Sequence, residues 1–266
     1  MNGVGTFLAS DLRLRWRSLM WWAIGVIALV ALSDAFYPSI AGDPSLNEVM
    51  EQIPESLRPL LGPEDITSPV GYLASQLYLS LLPALLLVFA IGRGVAALAG
   101  EEEDHTLDLL LAQPISRTSL YVQKFIGIAL GIAVLSIASW LPTALLANPT
   151  GLDIPAASLA SATLQLFALA LFFGALAMSV SSAVGRKGVG IAVAAGVAFV
   201  TFLIDGLGQS VSWLADVRPL TPWRWYDATT ALSDGFVWTS FLVLVGAALI
   251  AAAVGLWAFD RRNLRA

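Results

Sequence analysis

Six apolar stretches of this chain hold between them only two charged residues, Asp34 and Asp205. They run over Leu19–Phe36, Tyr72–Ile91, Phe125–Leu146, Ala157–Val184, Val189–Leu207 and Phe236–Phe259. A helix rising about 1.5 Å per residue crosses a hydrocarbon core of roughly 30 Å in about 20 residues, so each stretch has the length of one crossing. A membrane strand would alternate apolar and polar positions over about ten residues. The run from Leu81 to Ile91 is apolar throughout. Composition closes off the soluble alternative, because 58% hydrophobic and 12% charged residues leave too little polar surface to cover a water-soluble body. The chain reads as an all-α membrane protein, a single six-span domain over residues 1–266. The fifth stretch is the least regular, since Asp205, Gly206 and Gly208 interrupt its far end.

Lysine and arginine orient the spans. One side collects Arg13, Arg15, Arg17, Arg93, Arg117, Lys124, Arg186, Lys187, Arg261, Arg262 and Arg265, and the other has only Arg58, Arg218 and Arg224. The first side is therefore expected in the cytoplasm, together with both termini, and six crossings satisfy that parity. The aromatic residues agree: Trp21, Trp22 and Trp257 fall near the inner interface, and Tyr37, Tyr72, Trp213 and Trp238 near the outer one. The first span carries no cleavage-site pattern and reads as a retained anchor. The expected location is a cell membrane, crossed several times, with the prokaryotic plasma membrane as the specific reading.

Segments between the spans add four features. Residues 6–18 place Phe7, Leu8 and Leu12 among arginines, the pattern of an amphipathic helix on the inner leaflet. The outer loop 38–71 carries apolar residues at helical spacing and is expected to form a helical cap. The outer loop 208–235 is semi-apolar and rich in tryptophan, and Pro219 and Pro222 break it. Short helices dipping into the outer leaflet would suit it, and Asp205, Trp223, Trp225 and Tyr226 are candidates for an outer gate there. The fourth feature is a run of carboxylates, Glu101-Glu102-Glu103-Asp104, followed by His105-Thr106-Leu107-Asp108-Leu109-Leu110-Leu111. Pro114 ends that short apolar helix, and Ser116 can cap the helix that enters the third span.

Several function classes fall away. The chain has no cysteine and one histidine, too few for a thiolate site, an ordinary zinc site or a His-Glu-x-x-His protease. A net charge of −5 gives nucleic acid nothing to bind. His105 is remote from the intramembrane serines Ser179, Ser181 and Ser182, which suit close helix packing. The lysines, Lys124 and Lys187, follow no phosphate-cradling glycine run, so ATP hydrolysis is not expected in this polypeptide.

The segment Gly100-Glu101-Glu102-Glu103-Asp104-x-Thr106-Leu107-Asp108-Leu109-Leu110-Leu111-x-x-Pro114-Ile115-Ser116-Arg117, with Lys124 beyond it, resembles the signature of ABC-2 type permeases. These are membrane subunits of ATP-driven exporters, and the pattern lies between their second and third spans, as here. The resemblance implies a dimer of six-span subunits, each docking a separate ATP-binding-cassette ATPase that holds ATP and magnesium; no cofactor is expected in this chain. Its implied coupling residues are Glu101, Glu102, Thr106, Leu107, Pro114, Ser116, Arg117 and Lys124. His105 stands where the family often has glycine and receives no role. Span centres nearly free of charge suit hydrophobic, lipid-like or drug-like cargo. The alternatives are an ion-coupled secondary transporter, which would place ionisable groups near the midplane, and a membrane assembly or maturation factor.

Overall fold

The computed structural model describes residues 3–43, 52–54, 58, 65–106, 115–208 and 211–262. Every regular element among them is a helix, as expected where lipid offers the backbone no hydrogen-bond partner and each segment must satisfy its own amides. The first of six candidate spans, Trp16–Ser39, takes in most of helix α1 (Gly3–Phe36) and the 3-10 turn that follows it. The others are α2 (Pro69–Ala97), α4 (Arg117–Thr150), α5 (Ala156–Val184), α6 (Lys187–Leu207) and α10 (Trp238–Arg261). A short helix α3 (Ala99–Glu103) follows α2, and α7 (Ser212–Ala215), α8 (Pro222–Trp225) and α9 (Ala228–Ser233) fill the semi-apolar loop.

All six expected spans are present, most of them extended beyond their apolar cores. Ser116 shows why, for its hydroxyl accepts the Ser119 N–H at 3.1 Å and starts α4 eight residues before Phe125. The fifth span is more regular than its sequence suggested, running unbroken to Leu207 and stopping at Gly208. Residues 6–18 are helical but continue into the first span without a break. Most of the expected outer cap, and the short apolar helix between Leu107 and Pro114, lie outside the described residues.

Helix α2 contains a nine-residue π-helical stretch, Leu73–Leu81. Pro83 follows it, and a proline inside a helix has no N–H and crowds the carbonyl four residues back, which widens the preceding turns. Ser80 occupies the loosened ladder, donating its hydroxyl to the Gln76 carbonyl at 2.5 Å.

Helix α5 is the axis of the bundle and packs against α2, α4, α6 and α10. Small residues let the neighbours approach, as membrane helices need when no hydrophobic gain separates helix from lipid. A Cβ built on Gly94 of α2 would lie 2.5 Å from the Gly174 carbonyl oxygen of α5, so the two backbones are in contact there. On the other side, a Cβ on Gly255 of α10 would collide with the Ser179 side chain of α5 and the Tyr121 hydroxyl of α4. Ser179 donates across this contact to the Ala251 carbonyl at 2.7 Å.

Candidate functional site

The densest set of ion pairs among the described residues lies on the basic face, where α2 gives way to α3. Successive residues of a helix turn point about 100° apart, so three carboxylates in a row cannot face one way. Glu101, Glu102 and Glu103 fan out, and each meets a cation from a different part of the bundle. Glu101 reaches α4, with Lys124 Nζ 3.0 Å from its Oε1. Its second oxygen accepts the Thr106 hydroxyl at 2.5 Å. Glu102 pairs with Arg262, one residue past the end of α10. Glu103 meets the start of α6, where its Oε1 accepts the Lys187 N–H at 2.8 Å and its Oε2 lies 3.2 Å from the Lys187 ammonium.

The elbow then ends on His105, whose φ of 57° lies in the left-handed region. The Thr106 N–H returns to the Glu101 carbonyl at 2.8 Å, and the His105 N–H to that of Glu102 at 3.1 Å, a helix stop that favours glycine because a side chain costs energy there. His105 therefore stands at a position whose backbone conformation is one that L side chains rarely adopt.

Glu103 sits at the positive end of the α6 dipole. The Lys187 N–H, followed by the Lys187 ammonium, holds its carboxyl below the usual glutamate value. A lowered carboxyl pKa contributes stability that is complete above the ordinary value and is lost as pH falls through the folded one. Thermal unfolding of the parent and of Glu103→Gln should therefore differ above about pH 4.5 and converge below it. Equal separation of the two profiles at every pH would show that Glu103 does not titrate through this contact.

Of the coupling residues read from the sequence, Glu101, Thr106 and Lys124 form one cluster and Glu102 another. Ser116 acts as the cap of α4. Arg117 donates to the Arg262 carbonyl at 2.9 Å. Leu107 and Pro114 lie outside the described residues. Arg262 itself was missed by the sequence reading, which counted it as one cation of a basic terminus; nothing in the sequence singles it out from Arg261 or Arg265.

On the opposite face, the gate candidates divide. Asp205 pairs with Arg218, Nε to Oδ1 at 2.8 Å, and so ties the end of α6 to the loop. Trp223 donates its indole N–H to the Ala198 carbonyl of α6 at 2.9 Å. Tyr226 is buried and donates to the Tyr78 carbonyl at 2.5 Å, within the π-helical stretch of α2. Trp225 turns away and donates to Pro219 at 2.9 Å. Trp223 and Tyr226 rings meet edge to face at 6.0 Å.

Between α2 and α6 opens an apolar cleft of about 750 Å³, walled by Leu79, Pro83, Leu87, Ile191, Phe199 and Trp223 among others. None of its lining residues is ionisable. Asp34, one of the two charges within the apolar stretches, is fully buried, beside the Thr143 hydroxyl, and neither side chain closes a hydrogen bond.

Six helices long and apolar enough to cross a bilayer make this a multi-pass membrane protein. The chain belongs to the ABC-2 family of transporter proteins, whose family model matches residues 6–264. A search of the curated proteins finds no match.

Proposed function

We propose that this chain is the permease subunit of an ATP-driven exporter, that it works as a dimer, and that it moves hydrophobic or lipid-like molecules outward. The cleft between α2 and α6 is the observation that carries the cargo class. A groove of about 750 Å³ without an ionisable wall offers a charged solute no partner, and desolvating such a solute is costly. An apolar molecule loses nothing there. A second permease copy would cover the cleft and turn it into a pathway.

Energy would come from a separate ATP-binding-cassette subunit, holding ATP and magnesium, docked on the face that lysine and arginine assign to the cytoplasm. The elbow Glu101–Thr106 would receive its motion. On the far side, the Asp205–Arg218 pair and Trp223 would set the outer gate. The prokaryotic plasma membrane is the location that fits this assembly.

The experiment is affinity purification in mild detergent with native mass determination. The expected species holds two copies of this chain and two of an ATPase. A stable monomer without an ATPase in several detergents would overturn the reading in favour of a carrier or assembly factor. Asp205→Asn and Trp223→Ala, at normal expression, should each lower ATP-driven export; unchanged export in both would remove the gate assignment.

A further inference from the structure

We infer that Arg262 is a positioning residue that makes the basic ends of the second, third, fourth and last spans move as one body. This rests on the exporter reading and deepens it. Elbow motion in such a machine must reach several spans together, beyond the direct contact that α3 makes with α5. Arg262 supplies the connection. Its guanidinium pairs with Glu102 of α3 and donates to the Ser182 carbonyl at 2.7 Å, at the end of α5. Its own carbonyl accepts from Arg117, the first residue of α4, at 2.9 Å.

The surroundings are shaped for this one side chain. Gly185, with φ of 75°, closes α5, and a Cβ on it would collide with the Arg262 guanidinium. The glycine thus meets two demands, a left-handed backbone and a missing side chain. Ser182 lies within the last turn of α5, whose free carbonyls favour a cation. A planar guanidinium can serve a carboxylate and a carbonyl at once from separate nitrogens, which an ammonium does less well. Arg261, its neighbour, instead stacks over the Trp257 ring at 4.4 Å. The two arginines at the end of α10 therefore do different work, one joining helices and the other resting on its own helix.

The chain has no cysteine, which allows the link to be cut and restored in one sample. Glu102→Cys with Arg262→Cys removes the ion pair, and a short bis-methanethiosulfonate crosslinker, which forms a reducible disulfide with each thiolate as methanesulfinate leaves, replaces it with a covalent tie. The readout is ATP turnover of the purified permease–ATPase complex in liposomes, relative to the ATPase alone. In the reduced double variant the stimulation by the permease should fall about fivefold or more; crosslinking should restore most of it, and reduction should abolish it again. Arg262→Lys should retain more stimulation than Arg262→Gln.

Full stimulation in the reduced double variant would overturn the proposal while leaving the exporter reading intact. So would a loss that the crosslink fails to restore, because one rigid body tolerates a covalent tie. A parent complex without any permease-dependent turnover would overturn both.

Discussion

Replacing Lys124 by methionine is expected to destabilise the folded protein by about 3 kcal/mol, the low end of the cost of breaking a buried ion pair. The side chains of Lys124 and Glu101 are 4% and 18% exposed, so water replaces the missing ammonium only in part. The Glu101 carboxylate would lose its Lys124 partner and keep the Thr106 hydroxyl on its other oxygen. The lower end of the range applies because that hydroxyl remains. Substituting both partners, Glu101→Leu with Lys124→Met, should recover part of the loss, since the two charges of the pair are then removed together. Denaturant unfolding in mixed micelles measures all three variants. A single substitution as stable as the parent would show that the pair is not closed in the membrane-embedded protein. The double variant, without the ion pair between elbow and third span, should still be poor in ATP-coupled transport, which separates stability from coupling.

Gly94→Val should prevent the bundle from assembling. A Cβ there would stand 2.5 Å from the Gly174 carbonyl oxygen and 3.0 Å from the Ala177 side chain. Backbone atoms of a packed helix cannot rotate aside as a flexible side chain can, so α2 must separate from α5. That costs more than about 4 kcal/mol. The effect would spread, because α2 leads directly into the elbow and its displacement would pull all three carboxylates from their cations. Gly92→Val is the matched control, two residues away on the same helix, where a Cβ meets nothing within 4 Å. Membrane insertion should be equal for both variants, with resistance to limited proteolysis lost only in Gly94→Val. Equal protease resistance in the two would mean that the α2–α5 contact is looser than described.

The carboxylate run shows how far the residues could be read in advance. Their order identified the family, and α3 did prove to be the site where the second span meets the rest of the basic face. The resemblance implies that Glu101 and Glu102 couple to a partner; within the chain, they pair with Lys124 and Arg262. Asp34 is a similar case. Its position two residues before Phe36, where the first apolar stretch ends, suggests water, but the rotation of α1 turns it onto α4 and buries it completely. The gate candidates were grouped because they lie close together along the chain. Trp223 and Tyr226 do meet, while Trp225 bonds back to its own loop.

The number of spans, their approximate limits and the asymmetry of charge were determined by the sequence alone. These follow from the transfer of each side chain between water and hydrocarbon, a local property that adds up along a segment. The family signature was local too, a contiguous run of residues. Tertiary structure decided which cation answers each glutamate, why Gly94 and Gly255 must lack a side chain, and that Arg262 joins four helix ends. Those outcomes depend on how each helix is rotated about its axis and how closely it approaches residues up to 160 positions away. No single segment encodes that rotation; it is fixed only when small residues on α5 let the neighbouring helices close upon it.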